Sequence, residues 1–211
     1  GSADGITTGA NNVALGYHSL GSTTTAGDNS AIGAYALYLN TTGAGNTAIG
    51  RDALKANTTG PSNTAVGAYA LDVNTTGDNN SSLGYGSLTN NTEGGANSAF
   101  GTYALASNTT GSSNTSGGYG ALDANTTGNS STAFGRDALS ANTTGPSNTA
   151  VGRNAGIDIT TGGYNTCIGY EAGDGLTTGE KNVMVGTWAG QNQVTTGDYN
   201  LFIARSNNGA G

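Results

Sequence analysis

Cysteine and histidine are almost absent from this chain of 211 residues, which contains only Cys167 and His18. A lone cysteine excludes an intrachain disulfide, because that bond joins two cysteines. Zinc sites and thiol–imidazole pairs draw several ligands from these two residue types. Carboxylates do not compensate, because residues such as Asp72 and Asp123 lie far apart in the sequence and form no paired motif. We therefore expect no catalytic site, no metal and no cofactor, and we do not expect an enzyme.

Charged residues are also scarce, at 9% of the chain, against roughly 25% in typical globular domains. Thirteen acidic and six basic residues give a net charge of −7. The basic residues are scattered, whereas binding to nucleic acid requires clustered Lys and Arg. No stretch reaches the ~20 apolar residues that cross a bilayer. The sequence thus argues against nucleic-acid binding and against membrane insertion within this segment.

Proline is rare, with two residues, whereas glycine is abundant, with 38. Glycine inside a helix costs about 1 kcal/mol relative to alanine, so helices are not expected. Such a composition would suit a disordered linker, but 34% of the residues are hydrophobic and they are evenly spaced. Low-complexity linkers do not space Ile and Leu in this way, and the pattern indicates a folded repeat.

A repeat of 17 residues fills the chain, and residues 46–50 (Asn-Thr-Ala-Ile-Gly) are a clear copy of its central motif. The closing glycine recurs at Gly16, Gly33, Gly50, Gly67, Gly84, Gly101, Gly118, Gly135, Gly152, Gly169 and Gly186. The asparagine four places earlier recurs in almost every copy, with Ser131 as the exception. A period this regular indicates stacked units that each contact only their neighbours.

Each unit predicts one coil of an all-β fold. We expect two short strands per coil, one at Thr47–Ile49 and one around Ala53 and Leu54, separated by turns. The segment 57–60 (Asn-Thr-Thr-Gly) is typical of a turn, because Asn bonds local backbone and Gly accepts a positive φ. About twelve stacked coils then form a parallel β-solenoid, or β-roll, on the order of 55–60 Å long at about 4.8 Å per strand.

Adjacent apolar residues recur within each coil, as in Ala48–Ile49 and Ala53–Leu54. Neighbouring residues of a strand face opposite sides, so one apolar face fills the coil and the other lies outside. An outer apolar stripe along a rod exceeds the patches that monomers tolerate, and we expect several copies to bundle. The residues that represent the expected structural ladders are Asn46, Asn63, Ile49, Leu54, Leu71, Gly50 and Gly67.

Three segments are expected along the chain. Residues 1–6 are interpreted as a leader or an expression scar, and residues 7–155 as regular coils with a leucine ladder. Residues 156–211 are variant coils, because glycine replaces the leucine at Gly156, Gly173 and Gly190 while bulk grows elsewhere. The predicted outcome is a change of cross-section that leads to a neck or a further module.

The motif Asn-x-Ala-Ile-Gly-x-x-Ala, followed by a turn that contains Gly, resembles the head repeats of trimeric autotransporter adhesins. It also looks like repeats of phage tail fibres and of other bacterial surface fibres. The resemblance covers residues 7 to about 204 and implies a left-handed β-roll in which three chains pack around an axis. It further implies an extracellular location, at a cell surface or on a phage virion. The period of 17 is longer than in those heads, and Leu follows the second Ala in most copies.

The two positions after the closing glycine vary most, and they carry the candidate recognition residues. These are Tyr17, Tyr35, Tyr69, Tyr85, Tyr103, Tyr119, Tyr170 and Trp188. Aromatic side chains suit a glycan or protein surface of a host or prey cell. The alternative is structural, in which the rings cover neighbouring glycines or seal the contact between subunits.

Three classes of function follow from these patterns. The first is a structural and adhesive segment of a trimeric fibre, which provides rigid reach and multivalent attachment. The second is an ice-binding solenoid that acts through ordered threonine rows, such as Thr58 and Thr59. The third is an enzyme acting on surface glycans, for which the sequence offers no carboxylate pair. We expect the first.

Overall fold

Twelve short strands make up the regular structure in the part of the chain that the structure describes. The computed structural model describes residues 1, 8–23, 25–191 and 196–203. In this part each repeat contributes one strand of three residues. The strands, β1 to β12 in chain order, are Val13–Leu15, Ser30–Ile32, Thr47–Ile49, Thr64–Val66, Ser81–Leu83, Ser98–Phe100, Thr115–Gly117, Thr132–Phe134, Thr149–Val151, Thr166–Ile168, Val183–Val185 and Leu201–Ile203.

The strands form one parallel sheet whose spatial order is the chain order. Each strand pairs with the next one repeat later, so that Thr47 lies beside Thr64 and Ile49 beside Val66. The register follows from the sequence period, because one coil spans one repeat. The prediction of an all-β parallel β-solenoid is therefore confirmed. At about 4.8 Å per strand the sheet is roughly 53 Å long.

The predicted second strand does not form, and a series of turns takes its place. Alternate residues in this segment have left-handed backbone, with φ of 57° at Asp52 and 50° at Leu54. Its backbone still bonds the neighbouring coils, as Leu54 N donates to Ala70 O at 3.0 Å. The alternating φ lets both Ala53 and Leu54 point inward, and both are buried. The expectation that adjacent residues face opposite ways was wrong for this segment.

The interior is thin and is filled by small side chains together with one leucine per coil. In the third coil Ala48, Ala53 and Leu54 are fully buried. The corresponding residues of the other coils join them in one apolar cluster that runs along the chain from Leu20 to Ala189. The core of each coil thus packs against the cores of the coils above and below, as expected of a solenoid.

Two columns of asparagine run beside this apolar core. In the predicted column, Asn46 Oδ1 accepts a hydrogen bond from the backbone nitrogen of Asn63 at 2.8 Å, and Asn46 Nδ2 donates to Gly60 O at 3.0 Å. The second column was interpreted from the sequence only as a turn. There, Asn57 Nδ2 donates to Asn40 Oδ1 at 2.8 Å. Both columns satisfy buried polar groups by bonding one coil to the next.

The coils from Gly156 onward keep the backbone conformation of the earlier coils, but their large core side chains come from other positions of the repeat. Gly156 has a φ of 59°, close to the 52° of Leu139 one coil earlier. The vacated space is filled by Ile159 and Cys167, since a Cβ built at Gly156 would lie 3.0 Å from Ile159 Cδ1 and 3.6 Å from Cys167 Sγ. The loss of the leucine side chain at Gly156 is therefore compensated within the same apolar core.

The boundary at residue 155 is not a break in the sheet. Strand β10 pairs with β9 in the same register as elsewhere, with Cys167 beside Ala150. The expected change of cross-section is, in the described coils, a change of core composition. The neck predicted beyond the last coil falls on residues 204–211, outside the described residues, as does the predicted leader apart from residue 1.

Candidate interaction surface

The outer side of the twelve-stranded sheet is the first exposed surface of interest. Within each strand the middle residue points into the coil and the two flanking residues point outward. Ala48 is fully buried, whereas Thr47 is half-buried and Ile49 is 39% exposed. We call the outward first and third residues of β1 to β12 the sheet face.

The third strand residues form an apolar row along the sheet face. Its exposed members are Leu15, Ile32, Ile49, Leu83, Phe100, Phe134, Val151, Ile168 and Ile203. Val66 and Val185 are half-buried. Gly117 interrupts the row in sequence, but a Cβ at Gly117 would collide with the ring of Phe134, which covers the gap. The row is thus continuous in space along the sheet.

The first strand residues form a hydroxyl row on the opposite side of the same face. Its members are Ser30, Thr47, Thr64, Ser81, Ser98, Thr115, Thr132, Thr149 and Thr166. Apolar residues occupy this position in the terminal strands, at Val13, Val183 and Leu201. The sheet face is therefore amphipathic across its width, with hydroxyl groups on one side and aliphatic or aromatic groups on the other.

The variable positions after the closing glycine form the second surface, which we call the aromatic edge. Its central part brings four of the predicted recognition residues into contact. The ring centroids of Tyr69 and Tyr85 are 5.7 Å apart, those of Tyr85 and Tyr103 5.6 Å, and those of Tyr103 and Tyr119 6.4 Å. All three pairs meet edge to face, the arrangement that aromatic quadrupoles favour.

The remaining predicted aromatic residues form two shorter groups. Tyr17 and Tyr35 meet edge to face at 5.5 Å near the first coil, and Tyr170 and Trp188 at 5.8 Å near the last. The aromatic positions alternate between the first and second residue after the glycine in the central part. This alternation makes room for rings in successive coils. Sequence reasoning found the residues but not their mutual contacts.

Guanidinium groups lie at both ends of the central tyrosines. Arg51 stacks over Tyr69 with its Cζ 5.8 Å from the ring centroid, and Arg136 lies over Tyr119 at the same distance. These distances are within the range of cation–π attraction. The central part of the aromatic edge is thus a continuous series of four rings with a cation at each end, rather than a set of isolated side chains.

The carboxylate beside Arg51 is nearly buried and has two cationic partners. Asp52 directly follows Arg51 in the sequence. Its side chain is only 4% exposed, and it pairs with both Arg51 Nε at 3.0 Å and Lys55 Nζ at 3.3 Å. A nearly buried carboxylate requires such partners to offset its desolvation.

Trp188 takes part in a polar cluster at the C-terminal end of the aromatic edge. Its Nε1 donates to Glu171 Oε2 at 2.7 Å, and Asn154 Nδ2 donates to Glu171 Oε1 at 3.3 Å. Hydrogen bonds from Tyr170 and Trp188 lower the pKa of Glu171. The carboxylate is therefore held in its charged form and positions the two aromatic rings.

The paired threonines that suggested ice binding are not equivalent. Thr58 Oγ1 donates to the backbone oxygen of Thr75 at 3.0 Å, so its hydroxyl is used within the fold. Thr59 is exposed, and the same position is exposed in the neighbouring coils. The pairs therefore present one exposed hydroxyl row on a turn rather than two rows on a strand.

The described residues include few side chains that could take part in catalysis or bind a metal. They contain no group of three or more His, Cys, Asp or Glu side chains that could hold a metal ion. Burial raises the pKa of the Cys167 thiol to about 12, which leaves it protonated and unreactive at neutral pH. No helix in the described part of the chain is long and apolar enough to span a membrane.

No protein-family model, curated protein or solved structure matches this chain. The fold assignment therefore depends on the strand pairing of the chain itself. The resemblance to adhesin heads and fibre repeats remains an expectation from the sequence motif.

Proposed function

We propose that this chain is a structural and adhesive segment of an extracellular fibre, assembled from three parallel copies. The fibre provides rigid reach from a cell surface or a phage virion and attaches at several points at once. The observation that carries the proposal is the continuous apolar row of the sheet face, from Leu15 to Ile203, which the single chain leaves exposed.

The apolar row supports association because its exposure would be costly in a solitary rod. Monomeric proteins rarely expose apolar patches of more than a few hundred Å². The row runs along a sheet roughly 53 Å long at the usual strand spacing. Bringing copies together removes this surface from water, at roughly 25 cal/mol per Å² of apolar area.

Stacked coils support the mechanical role. The backbone groups of each coil bond both neighbours, in the strands and in the turn segment. The asparagine columns add side-chain bonds between coils. A rod built in this way has no internal hinge along the described coils, and bundling stiffens it further. Multivalent display follows from several copies that share one axis, and the partner is a glycan or protein on a host or prey surface.

Light scattering after size-exclusion chromatography, at several concentrations, tests the proposal. One chain has a mass of 20.6 kDa, and we expect a stable species near three times that mass. Replacing three members of the apolar row, Ile49→Thr, Leu83→Thr and Val151→Thr, keeps strand-forming or compatible side chains but should yield monomers. A folded wild-type monomer at every concentration would overturn the proposal.

A matched control separates loss of association from general damage. Thr59, Thr76 and Thr144 are exposed on the turn surface, away from the sheet face. Changing all three to Lys alters the surface more drastically than the apolar-row substitutions do. The mass of this control variant should equal that of the wild type.

Ice binding is the second candidate, and one feature of the sheet face favours it. The hydroxyl row and the apolar row lie at alternate strand positions, and each repeats once per coil along a parallel sheet. A regular surface of this kind can serve as a template for ordered water. Thermal hysteresis tests this reading directly: activity in a monomeric protein, lost after Thr47→Lys and Thr64→Lys, would displace the fibre proposal.

A further inference from the structure

We propose that copies of this chain meet through the apolar row and the aromatic edge together, so that the tyrosines are interface residues. This inference rests on the proposed fibre and names the contact that builds it. The occupant of the aromatic edge is a second copy of the same chain.

The two surfaces are continuous, which is the first argument. Each aromatic position follows the apolar row by two or three residues, with only the closing glycine and at most one further residue between. Phe100 is followed by Gly101 and then by Tyr103 two positions later. The aromatic positions accompany the row in four successive central coils, from Tyr69 to Tyr119. A neighbour that covers the apolar row in these coils therefore also lies within three residues of the aromatic edge.

Area provides the second argument. The sheet face is three residues wide and roughly 53 Å long, or roughly 500 Å² at about 3.3 Å per residue. A stable interface buries about 800 Å² on each partner. The sheet face alone falls short of this value. Adding the aromatic edge brings the surface to roughly 900 Å² by the same reasoning, which meets the requirement.

Composition and charge provide the third argument. Interface cores are enriched in Tyr, Trp, Phe and Arg, and these residues occupy the aromatic edge and the adjoining row. Two guanidinium groups of the edge are already neutralised within the chain, since Arg136 pairs with Asp137 at 2.9 Å and Arg51 pairs with Asp52. Desolvating these two cations therefore avoids the cost of burying an unpaired charge.

The opposite border of the sheet is different and fits an interface rim. The residues that precede the ladder asparagine there are mostly polar, as at Ser62, Asn79 and Ser113. Tyr164 and Tyr199 are the aromatic exceptions among the described residues at this position. Tyr164 is 55% exposed, almost the same as the 53% of Tyr119 on the aromatic edge. These two tyrosines form a matched pair that differs in the border on which each lies.

Dilution series by light scattering or sedimentation equilibrium test the inference with this pair. Tyr85→Ser, Tyr103→Ser and Tyr119→Ser combined should weaken association roughly tenfold or more, as expected when interface hot spots are truncated. Tyr119→Ser alone should weaken it measurably, and Tyr164→Ser should not. If the apolar-row variant dissociates but the tyrosine variants do not, this inference fails and the fibre proposal stands.

Chemical modification of the wild type keeps the test decisive if the triple variant misfolds. Nitration with tetranitromethane, mapped by mass spectrometry, should spare Tyr119 in the oligomer and modify Tyr164. Equal modification of both tyrosines would overturn the inference, as would glycan binding that the edge substitutions abolish without a change of mass. A wild type that is monomeric at all concentrations would overturn both this inference and the proposed function.

Discussion

The coils up to residue 155 and the coils from Gly156 onward follow one backbone path but fill their interior from different positions. In the earlier coils a leucine with positive φ supplies the bulk, as at Leu88 with a φ of 50°. In the later coils glycine takes that position, and the side chain three residues further on becomes apolar, as in Gly173 and Leu176. Left-handed backbone strains residues with a Cβ and suits glycine.

This difference shows that each coil needs a certain volume of core side chains, but that different positions of the repeat can supply it. A Cβ built at Gly173 would lie 2.6 Å from Cys167 Sγ and 3.2 Å from Met184 Sδ, so sulfur side chains complete the packing there. The change also ends an asparagine column. Asn142 Oδ1 is buried without a hydrogen-bond partner, because the next coil offers Ile159 instead of an asparagine.

The largest effect on stability is expected from truncating the core leucine of a coil before residue 155. Leu105→Ala removes a fully buried side chain with no neighbour that can replace it. The loss should lower the free energy of unfolding by about 2–5 kcal/mol, measured by urea denaturation. Leu105→Met is the control, since a volume-conserving change costs less than about 1.5 kcal/mol. Equal losses for the two variants would contradict the packing described.

A smaller effect should follow from breaking the asparagine column in its middle. Asn91 Nδ2 donates to Asn74 Oδ1 at 2.7 Å, and Asn91 Oδ1 accepts from Asn108 Nδ2 at the same distance. Asn91→Leu leaves these buried groups unsatisfied and should cost about 2–4 kcal/mol. Asn142→Leu, at the end of the column, should cost about 1 kcal/mol less, because its Oδ1 has no bond to lose. Equal costs would show that the column does not end there.

Converting one kind of coil into the other is the sharpest test of the comparison. Leu88→Gly combined with Asn91→Leu recreates the pattern of Gly173 and Leu176 in an earlier coil. The two changes should compensate, so that the double variant is more stable than the sum of the single effects by about 0.5–3 kcal/mol. Strict additivity in a double-mutant cycle would mean that the two interiors are not interchangeable.

The smallest effect concerns a carboxylate next to the aromatic edge. Burial, followed by the charge of Asp137, raises the pKa of Asp123 above its ordinary value of 3.8. A raised pKa of an acid means that stability falls as the pH rises through that pKa. Asp123→Asn should therefore raise Tm slightly at neutral pH, and the gain should vanish below about pH 3.8. Asp78→Asn, on an exposed turn, should change Tm little at either pH.

The sequence was informative where the period and the alternation of strands operate together. Thr47, Ala48 and Ile49 alternate as a strand must, and their recurrence determines the register of the sheet. Leu54 misled the prediction, because no pattern in the sequence reveals a leucine with positive φ. Asn57 misled it too, since an asparagine before Thr-Thr-Gly is typical of a turn, and only stacking shows that its amide bonds Asn40 one coil away.

The candidate surface was less predictable than the fold. The tyrosines were identified because they occupy the most variable positions of an otherwise regular repeat. Their contacts with one another depend on the distance between coils. Tyr85 and Tyr103 occupy different positions of their repeats and still meet edge to face. The burial of Asp52 between two cations was likewise beyond the reach of spacing arguments.

The pairing of each coil with its neighbours alone has a consequence for how the length of this rod can evolve. Removing or duplicating a block of 17 residues restores the same neighbours at the junction and changes the length by about 4.8 Å. Strand β12 pairs in register with β11 although 18 residues separate Val183 from Leu201. The spacing between strands thus tolerates an extra residue. Recombination within the gene can therefore lengthen or shorten the solenoid in steps of one coil.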